Sequence, residues 1–69
     1  MTREHIEDRI AEIVALVQQC KDETAHSYED DLRDAFVQAL ADNTLDGDPR
    51  ELAALVLTTN ALDFYRWFG

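Results

Sequence analysis

The sequence has little of what stabilises small secreted proteins or anchors proteins in membranes. Cys20 is the single cysteine, so no disulfide can form within the chain, as is usual for proteins made in a reducing cytosol. No apolar run approaches the roughly 18 residues that span a bilayer, and residues 1–5 contain no apolar signal segment. We therefore expect a soluble, cytoplasmic protein.

Basic residues are also scarce. Six Lys and Arg stand against fifteen Asp and Glu, which gives a formal net charge of −9. Proteins that bind DNA, RNA or anionic lipids directly need clustered Lys and Arg. The composition therefore argues against direct nucleic-acid binding and against membrane binding, and a basic protein surface is the natural partner.

Recognisable catalytic and metal-binding patterns are absent from the sequence. A chain of 69 residues fits one domain and, at this size, buries only about 60% of its unfolded surface, which leaves no room for a deep cleft. No serine or cysteine has a recognisable base and orienting partner. Cys20, His5 and His26 match no common zinc spacing, and Cys20 is better interpreted as a small buried apolar residue. We expect no enzyme, no metal and no cofactor.

Apolar residues recur at three- and four-residue spacing in the first two thirds of the chain, which predicts two amphipathic helices. The predicted apolar stripes consist of Ile6, Ile10, Ile13, Val14, Val17 and Cys20 in the first helix and of Leu32, Ala35, Phe36, Ala39 and Leu40 in the second. The first should cover residues 4–20, with Thr2 as its N-cap. Residues 21–26 are predicted to be a polar connection. The second helix should run from about 28 to 42, with Ser27 at its cap position. Glu29 lies four residues before Arg33 and is expected to pair with it.

Residues 43–47 have the composition of a turn, and Asp48-Pro49 is a strong start signal for a third helix that ends near Thr58. A short fourth helix is predicted over residues 61–68, capped by Asn60. Its aromatic side chains, Phe64, Tyr65, Trp67 and Phe68, are expected to close the core. Tyr65 or Trp67 is the expected exception that is exposed to solvent. The predicted fold is a single all-α domain: a compact bundle of three helices plus a short C-terminal helix.

Crowded carboxylates are the remaining feature. Glu4, Asp8 and Glu12 recur every four residues, so they should rise about 6 Å apart on one side of the first helix. A second cluster lies at the start of the second helix and consists of Glu29, Asp30, Asp31 and Asp34. Asp22 and Glu23 lie close to it in sequence. A solvated face is the common explanation, but repeated unpaired carboxylates destabilise their own helices. The candidate partner-binding residues are Glu4, Asp8, Glu12, Asp22, Glu23, Glu29, Asp30, Asp31 and Asp34.

Three segments, residues 25–32, 51–59 and 63–67, together resemble short, acidic, helical, uncharacterised proteins of phages and mobile elements. The likeness extends over most of the chain but carries little information about activity. Such elements encode small acidic anti-CRISPR proteins, and the resemblance implies an inhibitor of a type I CRISPR system, specifically of subtype I-C. Chains of that group often end in a small or cysteine-containing pair after the tryptophan. Phe68-Gly69 departs from this, so no role is carried over to the tail.

Two functions follow as expectations. In the first, the chain is a monomeric anti-CRISPR protein of the host-cell cytoplasm whose carboxylates mimic DNA phosphates on a basic surface of a surveillance complex. In the second, it is a helical adaptor or accessory protein of a mobile element that binds a protein through its aromatic C-terminus. Binding that collapses with salt would favour the mimic, whereas salt-insensitive binding lost on Trp67→Ala would favour the adaptor.

Overall fold

The chain forms three α-helices and one 3₁₀ helix. In the computed structural model, which describes residues 1–65, these are α1 (Arg3–Gln18), α2 (Asp22–Ala41), α3 (Pro49–Val56) and a 3₁₀ helix (Leu57–Ala61). Over that range there is no β-strand, and one isolated bridge joins Thr2 to Asp46. The predicted all-α bundle is confirmed. None of the described helices is both long and apolar enough to cross a membrane.

Two of the predicted helix starts are confirmed in atomic detail. The Thr2 side chain accepts a hydrogen bond from the backbone N–H of His5 at 3.1 Å, which satisfies one of the free donors at the start of α1. Asp48 accepts in the same way from the N–H of Arg50 at 2.9 Å, and Pro49 occupies the first turn of α3. Local sequence therefore determines where α1 and α3 begin.

A tight turn without glycine ends α1. Cys20 adopts a left-handed conformation with φ 57°, its N–H donates to the Val17 carbonyl, and the Lys21 N–H donates to the Leu16 carbonyl. This is the Schellman arrangement, in which a left-handed residue reverses the chain and satisfies the last carbonyls of the helix. Asn43, with φ 58°, occupies the equivalent position at the end of α2.

Because this turn is so short, α2 begins at Asp22, well before the predicted start near residue 28. The predicted connection over residues 21–26 is wrong, and so is the predicted cap, since Ser27 is exposed within the helix. Ala25 explains the difference: it is fully buried, in line with Leu32 two turns later, so packing against the core extends the helix toward its N-terminus.

The core lies between the inward faces of the three α-helices. Ile6 and Ile13 contribute from α1, and α1 packs mainly against α2. The other buried apolar members of the core cluster are Ala25, Leu32, Phe36, Leu52 and Val56. The predicted apolar stripes of the first two helices are confirmed at Ile6, Ile13, Leu32 and Phe36, whereas Ala25 lies in the predicted connection. Three other stripe residues are exposed. Cys20 and Ala35 are exposed and Leu40 is half exposed, so Cys20 is not the buried residue predicted.

The C-terminal region differs from the prediction. After α3 the chain tightens into the 3₁₀ helix, whose Thr59 is buried, and it leaves helical geometry at Leu62, where ψ is 132°. Ala61 belongs to the 3₁₀ helix, so the predicted fourth helix capped by Asn60 is wrong over residues 62–65, and residues 66–68 of that prediction lie outside the described part of the chain. Phe64 packs against the core as expected, and Tyr65 is 60% exposed, as predicted for one of the exceptions.

Candidate functional site

The acidic row on α1 lies where the sequence predicts it. Glu4, Asp8 and Glu12 are all exposed, on the side of the helix opposite Ile6 and Ile13. Glu12 forms an ion pair with Arg9 at 3.3 Å, three residues earlier on the same helix. Glu4 and Asp8 have no ion-pair partner among residues 1–65. This row therefore presents two carboxylates that take no part in the ion pairs of α1.

The early start of α2 brings together acidic residues that the sequence analysis treated as separate. Glu23 lies two turns before Asp30, and Asp34 lies one turn after it, so the three share one exposed line of about 17 Å at 1.5 Å per residue. Asp31 lies beside this line on the same solvent-facing side. We call Glu23, Asp30, Asp31 and Asp34 the α2 acidic stripe.

Little within the described structure neutralises the stripe. Asp30 lies 3.4 Å from the Nε2 atom of His26, a contact that is ionic only when the imidazole is protonated. Glu23, Asp31 and Asp34 form no ion pair with any residue from 1 to 65. The stripe is therefore a row of exposed carboxylates on one helix, with His26 as the one residue of 1–65 that lies within ion-pair distance of it.

Asp22 serves a different purpose from the stripe. Its side chain is half-buried, and its Oδ2 atom accepts a hydrogen bond from the backbone N–H of Tyr65 at 3.2 Å. It thus attaches the segment after the 3₁₀ helix to the start of α2. One oxygen of this candidate partner-binding residue is therefore already used in a hydrogen bond within the fold. The sequence does not predict this contact, because Asp22 and Tyr65 are 43 residues apart.

Glu29 does not belong to the exposed surface. Its side chain is fully buried, and its Oε1 atom lies 3.6 Å from Nη1 of Arg33, the partner expected four residues later. The assignment of Glu29 to a partner-binding cluster is corrected accordingly. The reason is its position: it faces the core together with Ala25, Leu32 and Phe36, one turn or two away along α2.

Arg33 links this buried carboxylate to the 3₁₀ helix. Its Nη2 atom donates to the Thr59 hydroxyl at 3.4 Å and to the Asn60 side-chain carbonyl. The guanidinium group therefore bridges α2 and the segment that follows α3, with one third of its side chain exposed to solvent. The sequence indicated the Glu29–Arg33 pair but not its burial or its reach to Thr59.

The two acidic rows do not form one continuous surface. α1 and α2 pack against each other and against α3 through their apolar faces, and each row lies opposite that face on its own helix. The rows consequently point toward different sides of the bundle. A single flat partner surface can contact one row closely but not both, and the stripe on α2 is the longer of the two.

Residues 1–65 form grooves at two places that border α2. An apolar one of about 240 Å³ lies between α2 and the α3 region, lined by Arg33, Phe36, Val37, Ala53, Val56 and Leu57. A wider one of about 460 Å³, open to solvent, lies at the start of α2 beside residues 20–24 and Tyr65. Within the described range no group of His, Cys, Asp and Glu side chains converges in a way that could hold a metal ion.

Comparisons of the chain with known protein families, with curated proteins and with solved structures find no match. The exposed carboxylates of α2 and the neighbouring apolar groove are therefore the features from which a function can be argued.

Proposed function

We propose that this protein binds a basic, nucleic-acid-binding protein surface through the α2 acidic stripe, and so competes with nucleic acid for that surface. The observation that carries the proposal is the placement of Glu23, Asp30 and Asp34 on one exposed line of a single helix. Phosphates recur about every 3.4 Å along one DNA strand, so the four carboxylates of the stripe occupy a length over which one strand would place about five phosphates.

The bulk charge supports the same function. A net charge of −9 on 69 residues produces a strong negative potential, which accelerates encounter with a basic partner and repels nucleic acid itself. The ion pairs of Arg3, Arg9 and Arg33 each engage a neighbouring carboxylate outside the stripe. The negative potential of the stripe therefore remains available to a partner.

The more specific proposal is that the partner is the DNA-recruitment surface of a type I CRISPR surveillance complex, of type I-C, in the host-cell cytoplasm. Its support is the resemblance of residues 25–32, 51–59 and 63–67 to proteins of phages and mobile elements. The acidic surface is consistent with such an inhibitor, because a complex that binds duplex DNA must present clustered Lys and Arg.

Competition measures this directly. A type I surveillance complex is incubated with labelled target duplex, and the fraction of DNA bound is followed while this protein is added at several salt concentrations. We expect displacement that weakens steeply as salt rises, because the contacts are ionic. Neutralising Asp30, Asp31 and Asp34 to Asn should abolish displacement, since several charge-assisted contacts disappear together.

A matched control removes the same charge from α1 by changing Glu4, Asp8 and Glu12 to their amides. If only the α2 variant loses competition, the stripe is the contact surface. If both variants lose it equally, net charge and not the stripe determines binding. Circular dichroism of both variants checks that the helices are retained, and absence of competition by the wild-type protein rules out the proposal for that complex.

The second candidate is a helical adaptor that binds a protein through its aromatic C-terminus. The observation in its favour is Tyr65, a large side chain that is 60% exposed beside the wider groove. Binding of this kind should be insensitive to salt and lost on Trp67→Ala, while the Asn variants of α2 bind normally.

A further inference from the structure

The apolar groove between α2 and α3 has exposed walls and a buried floor. Phe36 and Val56 form the floor and belong to the core, whereas Val37 and Leu57 stand on the two rims and are 61% and 54% exposed. Large aliphatic side chains at this exposure are costly in water unless something covers them. The exposed Val37 and Leu57 side chains therefore belong to one apolar groove and are not isolated exposed residues.

The rim on α2 borders the α2 acidic stripe. Asp34 precedes Val37 by three positions, which places their Cβ atoms about 5–6 Å apart on the helix surface. Asp30 lies one turn further toward the N-terminus, on the same side. A segment that inserts an apolar side chain into the groove therefore passes along these carboxylates.

Arg33 lines the groove but does not offset this charge. Its guanidinium is directed to the buried Glu29 carboxylate and to Thr59 and Asn60 across the helix interface. Asp30 and Asp34 are both exposed and lie on the opposite side of the Val37 rim from that bridge. Along its α2 edge the groove is consequently apolar and negative.

We propose that this groove binds a basic amphipathic helix of the partner, with aliphatic or aromatic side chains between Val37 and Leu57 and with Lys or Arg on Asp30 and Asp34. The inference rests on the proposed function and specifies how the basic partner is held. Helix-in-groove recognition of this kind uses apolar anchors at i, i+3, i+4 and i+7. A second copy of this chain is the wrong occupant, because two surfaces of net charge −9 repel each other.

The probe is a fluorescein-labelled 16-residue peptide of Leu, Lys and Ala, with leucines on one helical face and lysines flanking them. A control peptide has the same composition in scrambled order, so that its charge is equal but its leucines share no face. Binding to the full chain is measured by fluorescence anisotropy at low and at physiological salt. We expect the amphipathic peptide to bind about tenfold more tightly than the scrambled one, a typical contribution of buried apolar anchors.

Substitution locates the binding site. The double variant Val37→Ser, Leu57→Ser should lose that tenfold preference, and its folding is checked by thermal unfolding, because both side chains are on the rim. Tyr65→Ser is the matched control, since it removes an equally exposed large side chain beside the other groove. In the wild-type protein, shifts of the Val37 and Leu57 methyl resonances on addition of peptide give a measurement that needs no variant.

The outcomes separate the two proposals. Preference for the amphipathic peptide that disappears in the rim variant and persists in Tyr65→Ser supports the groove. Equal binding of both peptides, lost when Asp30, Asp31 and Asp34 are changed to Asn, overturns the groove and leaves the acidic stripe as the contact. Loss of binding in Tyr65→Ser alone overturns the groove in favour of the aromatic surface. Failure of both peptides to bind overturns the groove and counts against the stripe as well.

Discussion

Replacing Arg33 by Met tests how the buried carboxylate is stabilised. Glu29 is fully buried, and Arg33 faces it at 3.6 Å while also donating to Thr59 and Asn60. Met retains much of the volume of the arginine stem but has no charge and no donor. The variant therefore leaves the Glu29 carboxylate in the core without the guanidinium charge and removes the bridge from α2 to the 3₁₀ helix.

The size of the effect follows from the unequal burial of the two partners. Removing one member of a buried ion pair costs about 3–5 kcal/mol. Because 34% of the Arg33 side chain is exposed, we expect the lower end, about 3 kcal/mol. The reverse change, Glu29→Gln, leaves a partly solvated guanidinium that keeps its acceptors on Thr59 and Asn60, so it should cost about 1 kcal/mol.

Urea unfolding followed by circular dichroism at pH 7 measures both variants and the double variant. A chain of this length has a total stability of about 3–10 kcal/mol, so the loss in Arg33→Met is large enough to shift the midpoint clearly. The double variant should be more stable than the sum of the two single changes implies, because the two groups interact. Equal costs for the single variants, or strict additivity, would refute this account of the pair.

Three further expectations address the fold. Asp48→Ala should cost about 1 kcal/mol because it removes the N-cap of α3, whereas Ser27→Ala should be neutral or slightly stabilising because Ser27 lies within α2. Thermal unfolding compares the two variants. A clear loss of stability in Ser27→Ala would indicate that Ser27 is a helix cap after all. Gly47→Ala should cost about 1–3 kcal/mol because residue 47 has a φ of 138°, which strains any residue with a Cβ. Steric overlap does not add to this cost, since the new Cβ would lie 3.5 Å from Leu52, an ordinary contact distance. A neutral result in urea unfolding would contradict the prediction. Sodium chloride should raise the melting temperature at pH 8 by screening the excess of carboxylates, and a flat salt profile would show that they do not repel appreciably.

The acidic surface could be read from the sequence only in part. Its helical spacing predicts the row of Glu4, Asp8 and Glu12, and all three are exposed. The sequence does not predict the full stripe on α2, because the predicted connection over residues 21–26 includes Glu23, whereas α2 begins at Asp22. Glu29 looked like its acidic neighbours, and only its angular position relative to Ala25 distinguishes it.

The sequence by itself determined the elements whose causes are local. Periodicity predicted the first two helices, and the Asp48-Pro49 start signal predicted the third. The side chains of Thr2 and Asp48 determined where α1 and α3 begin, because a cap acts on N–H groups within three residues. Charge composition, likewise a property of the chain, determined that the surface is strongly negative.

Tertiary structure decided what depends on distant partners. Cys20 takes the left-handed position of a Schellman turn, which is usually a glycine, and is exposed as a result. Ala25 is buried in the core that the three helices share, and α2 accordingly begins at Asp22. Glu29 is buried next to an arginine that also reaches Thr59. Residues far apart in sequence meet only when the helices pack, and their burial is settled at that point.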